Sequence, residues 1–468
     1  MTDSNSDKKL IEDKSVKGSK KKQKKEDAWR PEGPRDPIAM LDTLPESKQQ
    51  EIQRALHLFS MGPSMPKTLQ QAKKRTYRFW ETQPVPKLGG NIETHGPIVE
   101  SEASVRKEPY SLPQGFSWDT LDLSSPTVLR ELCTLLNENY MEEDDNSIRF
   151  EFSPEYLQWA LQPPKWLARW HCGVRVDTNN KLVGFIAALP ADVRIYDTEK
   201  RMVRVTFLCV HKKLRLKRMT PVLIRELTRR VNQRGLYQAV YTAGVVLPTP
   251  LSSSRCWYRP LNLRKLTEVS YPGLKQNMNL QRALKLNRLP EVTKTPGLRP
   301  MTKEDAAGIH SLLQKNLCKF HLSPMLSVPE VEHWLLPREN VIDAYVVEGD
   351  DGTLTDVVSF YAITYKVLNH PVHTGLRAAH LFYVASTATD PVDLMEDALV
   401  LAKSKGFDVF HALDVMDNKS FLEKLKFSID DKSLHYYLYN WMCPNMSSDK
   451  VLNTVIPPPA KTYHCQSA

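Results

Sequence analysis

Cysteine is scarce and scattered in this chain. Seven in 468 residues, Cys133, Cys172, Cys209, Cys256, Cys318, Cys443 and Cys465, are odd in number and form no CxxC pair. That excludes a disulfide framework and fits a reducing compartment. Long apolar runs are missing too: no N-terminal segment reads as a signal peptide, and no run reaches the roughly 20 residues of a membrane-spanning helix. The expectation is a cytoplasmic protein. Glycine-rich phosphate loops are absent, with neither a GxxxxGK[ST] nor a GxGxxG pattern, which disfavours nucleotide hydrolysis and dinucleotide redox chemistry. Metal-type clusters are equally thin. His370 and His373 sit in Asn-His-Pro-Val-His, a proline-containing turn without a neighbouring Cys or acid, so they read as surface histidines and no metal is expected.

What the chain does have is bulk and a duplicated pattern. With 41% apolar residues it can bury a large core. The net charge of +10 is inflated by lysines near the start, among them Lys20-Lys21-Lys22 and Lys24-Lys25. Such a block either binds nucleic acid or anionic surfaces, ribosomes among them, or keeps a disordered tail soluble, and composition leaves both open. Residues 1 to about 40 read as unstructured, and 45–60 as a helix with Ile52, Leu56 and Phe59 on one face. An aromatic, proline-rich arm follows at 77–86. It either covers a site or packs Phe79 and Trp80 into the core. Ser125-Pro126 and Ser153-Pro154 open two helices. Strands are expected at 171–177, 182–189 and 202–210, then a helix from Pro221 ended by Gly235, then a strand at 237–241. The second half repeats this order: helices at 302–318 and 328–336, strands at 341–348, 356–366 and 379–386, a helix at 391–405 ended by Gly406, and a strand at 407–415. A helix through Phe421 to Leu425 and a strand at 434–441 complete it. The order predicts a structural duplication.

The chemistry concentrates where the two halves differ. The apolar strand ending Phe207-Leu208-Cys209-Val210 runs into His211-Lys212-Lys213-Leu214-Arg215-Leu216-Lys217-Arg218, and Met219-Thr220-Pro221 then opens a helix. A helix start carries unpaired N–H groups and about half a positive charge, and Arg215, Lys217 and Arg218 add full charges. The set suits a pyrophosphate or sugar phosphate; the alternative is a solvated basic turn. Backbone N–H groups at 207–210 can face a carbonyl and stabilise an oxyanion, which suits acyl transfer from a thioester. Cys209 has no readable His–Asp relay and reads as structural. The matching turn of the second half, 386–393, carries Asp390 and Asp393 and is expected to repel phosphate. On this reading only the first half holds a phosphate-bearing cofactor.

From about Tyr77 to Val451 the chain resembles eukaryotic N-myristoyltransferase (glycylpeptide N-tetradecanoyltransferase). The resemblance is carried by Phe207-Leu208-Cys209-Val210-His211-Lys212-Lys213-Leu214-Arg215, Tyr241-Thr242-Ala243-Gly244-Val245-Val246-Leu247-Pro248, Gly406-Phe407-Asp408-Val409-Phe410 and Phe421-Leu422-Glu423-Lys424-Leu425-Lys426-Phe427. It implies an α/β fold of mixed sheets with flanking helices, built as two tandem acetyltransferase-like halves related by pseudo-two-fold symmetry. The implied division is 1–70 as a disordered Lys-rich region, 71–260 for myristoyl-CoA, 261–456 for peptide, and 457–468 as a proline-containing extension. Myristoyl-CoA would be a co-substrate, with no resident cofactor. Arg78, Phe79 and Trp80 would cover the CoA. Arg215, Leu216, Lys217 and Arg218, with Met219 and Thr220, would surround its phosphates, and Cys209 and Val210 would lie along it. The Phe207 and Leu208 amides would form the oxyanion hole, and Thr242 would position the glycine amine. Tyr140, Asp144, Asp145, Phe150, Tyr241 and Gly244 would line the peptide groove, with Asp431 favouring a downstream lysine. The partners implied are N-terminal glycine peptides, met by a monomer.

The chain departs from the family pattern within the site. Arg204-Val205-Thr206 replaces a Glu-Ile/Val-Asn run, and Leu216 replaces a small polar residue. Phe152 and Tyr258 stand where Tyr and His are usual. A glycine-rich loop becomes Ser428-Ile429-Asp430-Asp431-Lys432. The family's C-terminal carboxylate, its general base, matches near Ile456, here followed by Pro457-Pro458-Pro459. An internal peptide bond carries no carboxylate. The tail is then cleaved, or threads its end inward, or another group serves, or the chain binds acyl-CoA or peptide without efficient turnover.

Overall fold

The computed structural model describes residues 66–452 apart from 67, 88, 90–91, 93–94, 101–104, 141–146, 272–278 and 369. The helix expected at 45–60, the lysine block, Asp144, Asp145, and everything after Leu452 lie outside the described residues. Among the described residues, fourteen strands join one sheet. They are β1 (Phe116–Thr120), β2 (Ile148–Glu151), β3 (His171–Val176), β4 (Leu182–Ile195), β5 (Thr198–Val210), β6 (Ala239–Ala243), β7 (Ser252–Pro260), β8 (Leu298–Pro300), β9 (Leu322–Pro324), β10 (Ile342–Glu348), β11 (Leu354–Val367), β12 (Gly375–Ser386), β13 (Val409–Leu413) and β14 (Ser428–Tyr439).

Their spatial order is β1-β3-β4-β5-β6-β14-β7-β13-β12-β11-β10-β8, with β2 on β11 and β9 on β4. Read from either end, this is one motif met twice. In each half an antiparallel pair (β4/β5, β11/β12) leads through a helix to a parallel neighbour (β6, β13). A parallel neighbour requires a crossover, which helices Met219–Asn232 and Pro391–Ser404 supply. Both helices are left through a glycine in the left-handed region, Gly235 at φ +73° and Gly406 at +77°. The last strand of each half is exchanged. β7 pairs with β13 and β14 pairs with β6, and the two meet antiparallel at the centre. The short strands β2 and β9 also cross to the opposite half.

Elements with strong periodicity lie close to their expected positions. Two others differ. β7 begins Ser252-Ser253-Ser254, low in β-propensity, and forms because two neighbours supply its ladder rather than because its own residues demand it. The segment 428–432, expected as a loop, opens β14: Ile429 pairs with Trp257 and Ser433 with Arg255, so three residues bulge out opposite Cys256. None of 428–432 has positive φ, so glycine is not required there. Among the described residues no helix is long and apolar enough to cross a membrane.

Helix Met219–Asn232 packs Leu223, Leu227 and Val231 onto Val174, Ile186 and Ala188. It is locked in place by Glu226, which is 0% exposed. The Glu226 carboxylate accepts from Arg229 at 2.6 and 2.9 Å, from Arg230 at 2.9 Å and from the Tyr110 amide at 3.1 Å. Burial alone would raise its pKa, but the two guanidiniums reverse the sign and hold it below the ordinary carboxylate value. Removing one member leaves buried charge uncompensated, at a cost of about 3 kcal/mol. Glu226→Gln should therefore melt several degrees below wild type in differential scanning calorimetry at pH 7. Because the folded pKa is lowered, wild type keeps this advantage above pH about 4.5 and loses it as the pH falls through the folded value. An equal melting temperature at pH 7 would refute the network's role.

Candidate active site

The site begins with a fault in a strand. β4 and β5 pair from Ile195↔Thr198 to Ala187↔Thr206, then resume at Phe185↔Cys209. Phe207 and Leu208 therefore oppose the single residue Ile186, an extra residue that breaks the ladder. Phe207 sits at φ +53°, a region costly for an aromatic side chain, of order 1–3 kcal/mol. Packing holds it there: Phe207 is 1% exposed, with Tyr140 at 6.0 Å and Phe152 at 5.8 Å between ring centroids. Beside the bulge, β5 and β6 pair only at Val203↔Ala239 and Arg204↔Val240. Both strands run on past that point, so a cleft opens between the bulge and Thr242.

The basic turn lies at the end of this cleft. Residues 212–217, Leu216 among them, form a 3-10 turn, and Arg218 at φ +53° starts helix Met219–Asn232 without a side-chain cap. The three expected phosphate cations part company. Arg215 is turned back, donating from Nη2 to the Asn139 carbonyl at 2.7 Å. Lys217 and Arg218 are exposed and have no carboxylate partner among the described residues. Met219 is buried, and Thr220, 1% exposed, has a hydroxyl with no hydrogen-bond partner among the described residues. Cys209 is inert: its Sγ points at the Leu135 carbonyl, and burial pushes the thiol up to about 12.

The arm docks where core packing alone would place it. Tyr77, Phe79, Trp80 and Val85 bury against Ala243, Val245, Val246 and Leu247. Trp80 stacks on Tyr241 at 5.8 Å, and Tyr241 on Tyr437 at 5.0 Å. Arg78 is exposed. The arm thus meets the segment that carries Thr242 and Gly244, and Trp80 leaves a buried Nε1 without a partner among the described residues. Across the bulge, Tyr140 and Phe150 belong to an aromatic chain with Phe152, Tyr156, Tyr361 and Tyr365. Thr242 faces Tyr436 across β6 and β14. Asp431 is exposed on the β14 bulge, next to a half-buried Asp430 whose carboxyl burial pushes above its ordinary value.

Two histidines join this wall that sequence reading missed. His380 and His411 stack at 4.7 Å, with Tyr361 on His380 at 5.2 Å and the Tyr271 hydroxyl 3.0 Å from His411 Nε2. Burial, reinforced by Lys432, drives His411 down to about 3, and His380 also falls well below its usual value, so both rings are neutral. No sequence signal links them, because they meet only through the β12/β13 register. The His370–His373 pair is stacked at 5.0 Å, and His373 finds an acid after all, Glu268 at 2.6 Å, brought from 105 residues away.

The second half contains the same fault, but filled. β11 and β12 pair at Asp356↔Ser386, Val357↔Ala385 and Val358↔Val384, then at Phe360↔Leu381. Phe382 and Tyr383 oppose only Ser359. Its hydroxyl accepts from the Tyr383 amide at 2.9 Å and donates to the Tyr383 carbonyl at 3.1 Å. In the turn that follows, Asp356 Oδ1 accepts from the amides of Thr387, Ala388 and Thr389 at 2.7, 3.1 and 3.2 Å. Asp390 caps the helix through the Val392 amide, and Asp393 pairs with Lys294. Besides the expected Asp390 and Asp393, the turn thus holds a third carboxylate, and that of Asp356 already occupies its amides.

The chain matches the model of Myristoyl-CoA:protein N-myristoyltransferase, N-terminal domain, over residues 97–256, and that of the C-terminal domain over 268–455. It is 60% identical over 408 residues to glycylpeptide N-tetradecanoyltransferase 2 of Danio rerio, covering 87% of this chain and 83% of the relative. It is 58% identical over 415 residues to glycylpeptide N-tetradecanoyltransferase 2 of Bos taurus, covering 89% and 83%. The crystal structure of Saccharomyces cerevisiae N-myristoyltransferase with bound myristoyl-CoA superposes with a TM-score of 0.77 at 38% identity, covering 80% of this chain and 94% of that one. With matches spanning both halves of the sheet, the chain belongs to the N-myristoyltransferase family.

Proposed function

We propose that this protein transfers myristate from myristoyl-CoA to the N-terminal glycine amine of proteins. The neutral amine attacks the thioester carbonyl, the C–S bond breaks, and an amide and free CoA leave, the amine's proton balancing the thiolate. No covalent enzyme intermediate is needed. One observation carries the assignment of roles within the chain: two equivalent bulges, of which only that at Phe207 and Leu208 is unplugged. The two bulges are offset by one residue: Ala188 and Val205 pack on the core under helix Met219–Asn232 as Phe360 and Leu381 pack on the core under helix Pro391–Ser404, so by side-chain facing the counterpart of Ser359 is Ala187, the neighbour of Ile186. Ser359 occupies its bulge with a hydroxyl, and Ala187 has none. We assign the Phe207 and Leu208 amides to the oxyanion, Lys217 and Arg218 to the CoA phosphates, and Phe79 and Trp80 to cover over the CoA. Thr242 is assigned to the amine, and the Tyr140–Phe150 wall and Asp431 to the acceptor peptide. Residues 71–260 then chiefly serve the cofactor and 261–456 the peptide. Arg215 is a positioning residue in this scheme, since it holds the end of helix Pro126–Asn139. The enzyme would work as a cytoplasmic monomer, with the lysine block giving salt-sensitive contact with ribosomes or anionic surfaces.

Purified protein should convert myristoyl-CoA and a glycine-starting peptide to the acylated peptide and CoA, followed by mass spectrometry. Saturable myristoyl-CoA binding with no turnover would overturn the reading. Ala187→Ser, which copies the plug of the other half, should lower kcat by about 100-fold while leaving myristoyl-CoA affinity within about threefold, because a lost oxyanion donor acts on the transition state. Unchanged kcat would remove the bulge from the mechanism. Lys217→Ala with Arg218→Ala should raise KM for myristoyl-CoA about tenfold, an effect shrinking at high salt. A KM independent of both cations would move the phosphates elsewhere.

A further inference from the structure

We propose that the turn after β12 is a second oxyanion site of phosphate type, held shut by the chain's own Asp356. Its equivalence to the cofactor end of the first half follows from register. Asp356↔Ser386 is the last pair before one turn, and Gly184↔Val210 is the last pair before the other. Where the first half has Gly184, a Cβ would meet Val174 at 3.3 Å and Leu223 at 3.4 Å, so no side chain reaches that turn. Where the second half has Asp356, a carboxylate 0% exposed receives five donors: three successive amides and the hydroxyls of Thr355 and Thr389, both at 2.8 Å. Among the described residues it has no ion-pair partner. A buried carboxylate without a counter-ion is tolerated only when such a set of donors meets it. Successive amides converging on one oxygen form a concavity that would take a phosphate oxygen as readily. Three residues along β11, Ser359 fills the bulge in the same way. Each half therefore builds a cofactor frame, and in the second the chain supplies both the anion and the oxygen. One acyl-CoA per chain is the consequence, with the second cleft left to the acceptor.

The parallel with CoA rests on the function proposed above; the self-occupancy rests on its own contacts. The test replaces Asp356 with the first half's residue. Asp356→Gly, with the first site saturated by myristoyl-CoA, should melt at least about 5 °C below wild type. Inorganic pyrophosphate should restore about half of that loss saturably, and calorimetry should count one added pyrophosphate per chain. Wild type under the same conditions should gain neither. A loss without pyrophosphate recovery, or no loss at all, overturns the proposal. If Asp356→Gly does not fold, Asp356→Ser is measured in its place, and the same outcomes support or overturn the proposal. Failure of wild type to bind myristoyl-CoA would instead sink the functional reading, and the pyrophosphate response of the variant, measured without myristoyl-CoA, would still decide this one.

Discussion

The antiparallel meeting of β7 and β14 is the constraint on which the rest depends. Each is the last strand of its own half, yet each pairs with the other half's parallel strand. Backbone groups in a sheet interior must find partners, so neither half can close its ladder without the other. That places Thr242 on β6 and Asp431 on β14 in one sheet although nearly two hundred residues separate them. The seam therefore sets which residues of the two halves share a sheet.

Within that frame, the bulge at Phe207 breaks the ladder of β4 and β5. An aromatic at positive φ is unfavourable by itself and persists because Tyr140 and Phe152 pack around it. The same rings begin the aromatic chain that runs on to Tyr361 and Tyr365, so the residues that hold the strained backbone also shape the wall beside it. The twin bulge lacks a positive φ and carries a serine whose hydroxyl satisfies the Tyr383 amide from within the chain.

Much of this was legible before the fold was known. Helices opened by Ser-Pro, strands of continuous apolar residues and the Gly235 and Gly406 exits follow from local chemistry, and their repeated order indicated duplication. The basic turn was legible as charge, but not the withdrawal of Arg215, since its partner is a backbone carbonyl 76 residues away. β7 was illegible because three serines carry no strand signal of their own. The His380–His411 stack and the Glu268–His373 pair arise only from long-range register, which one sequence does not display.

The second turn shows why charge along the sequence is a poor guide to charge in a site. Asp390 and Asp393 stand in the turn's own sequence, yet one caps a helix and the other pairs with Lys294. The acid that decides the turn's chemistry, Asp356, lies about 30 residues earlier on a neighbouring strand. A duplicated fold copies its turns and bulges along with its strands. Specialising one copy then requires that the spare donors be satisfied, because a buried amide without an acceptor costs about 1–3 kcal/mol. Asp356 and Ser359 meet that requirement from within the chain, while Gly184 and Ala187 bring no side-chain acceptor.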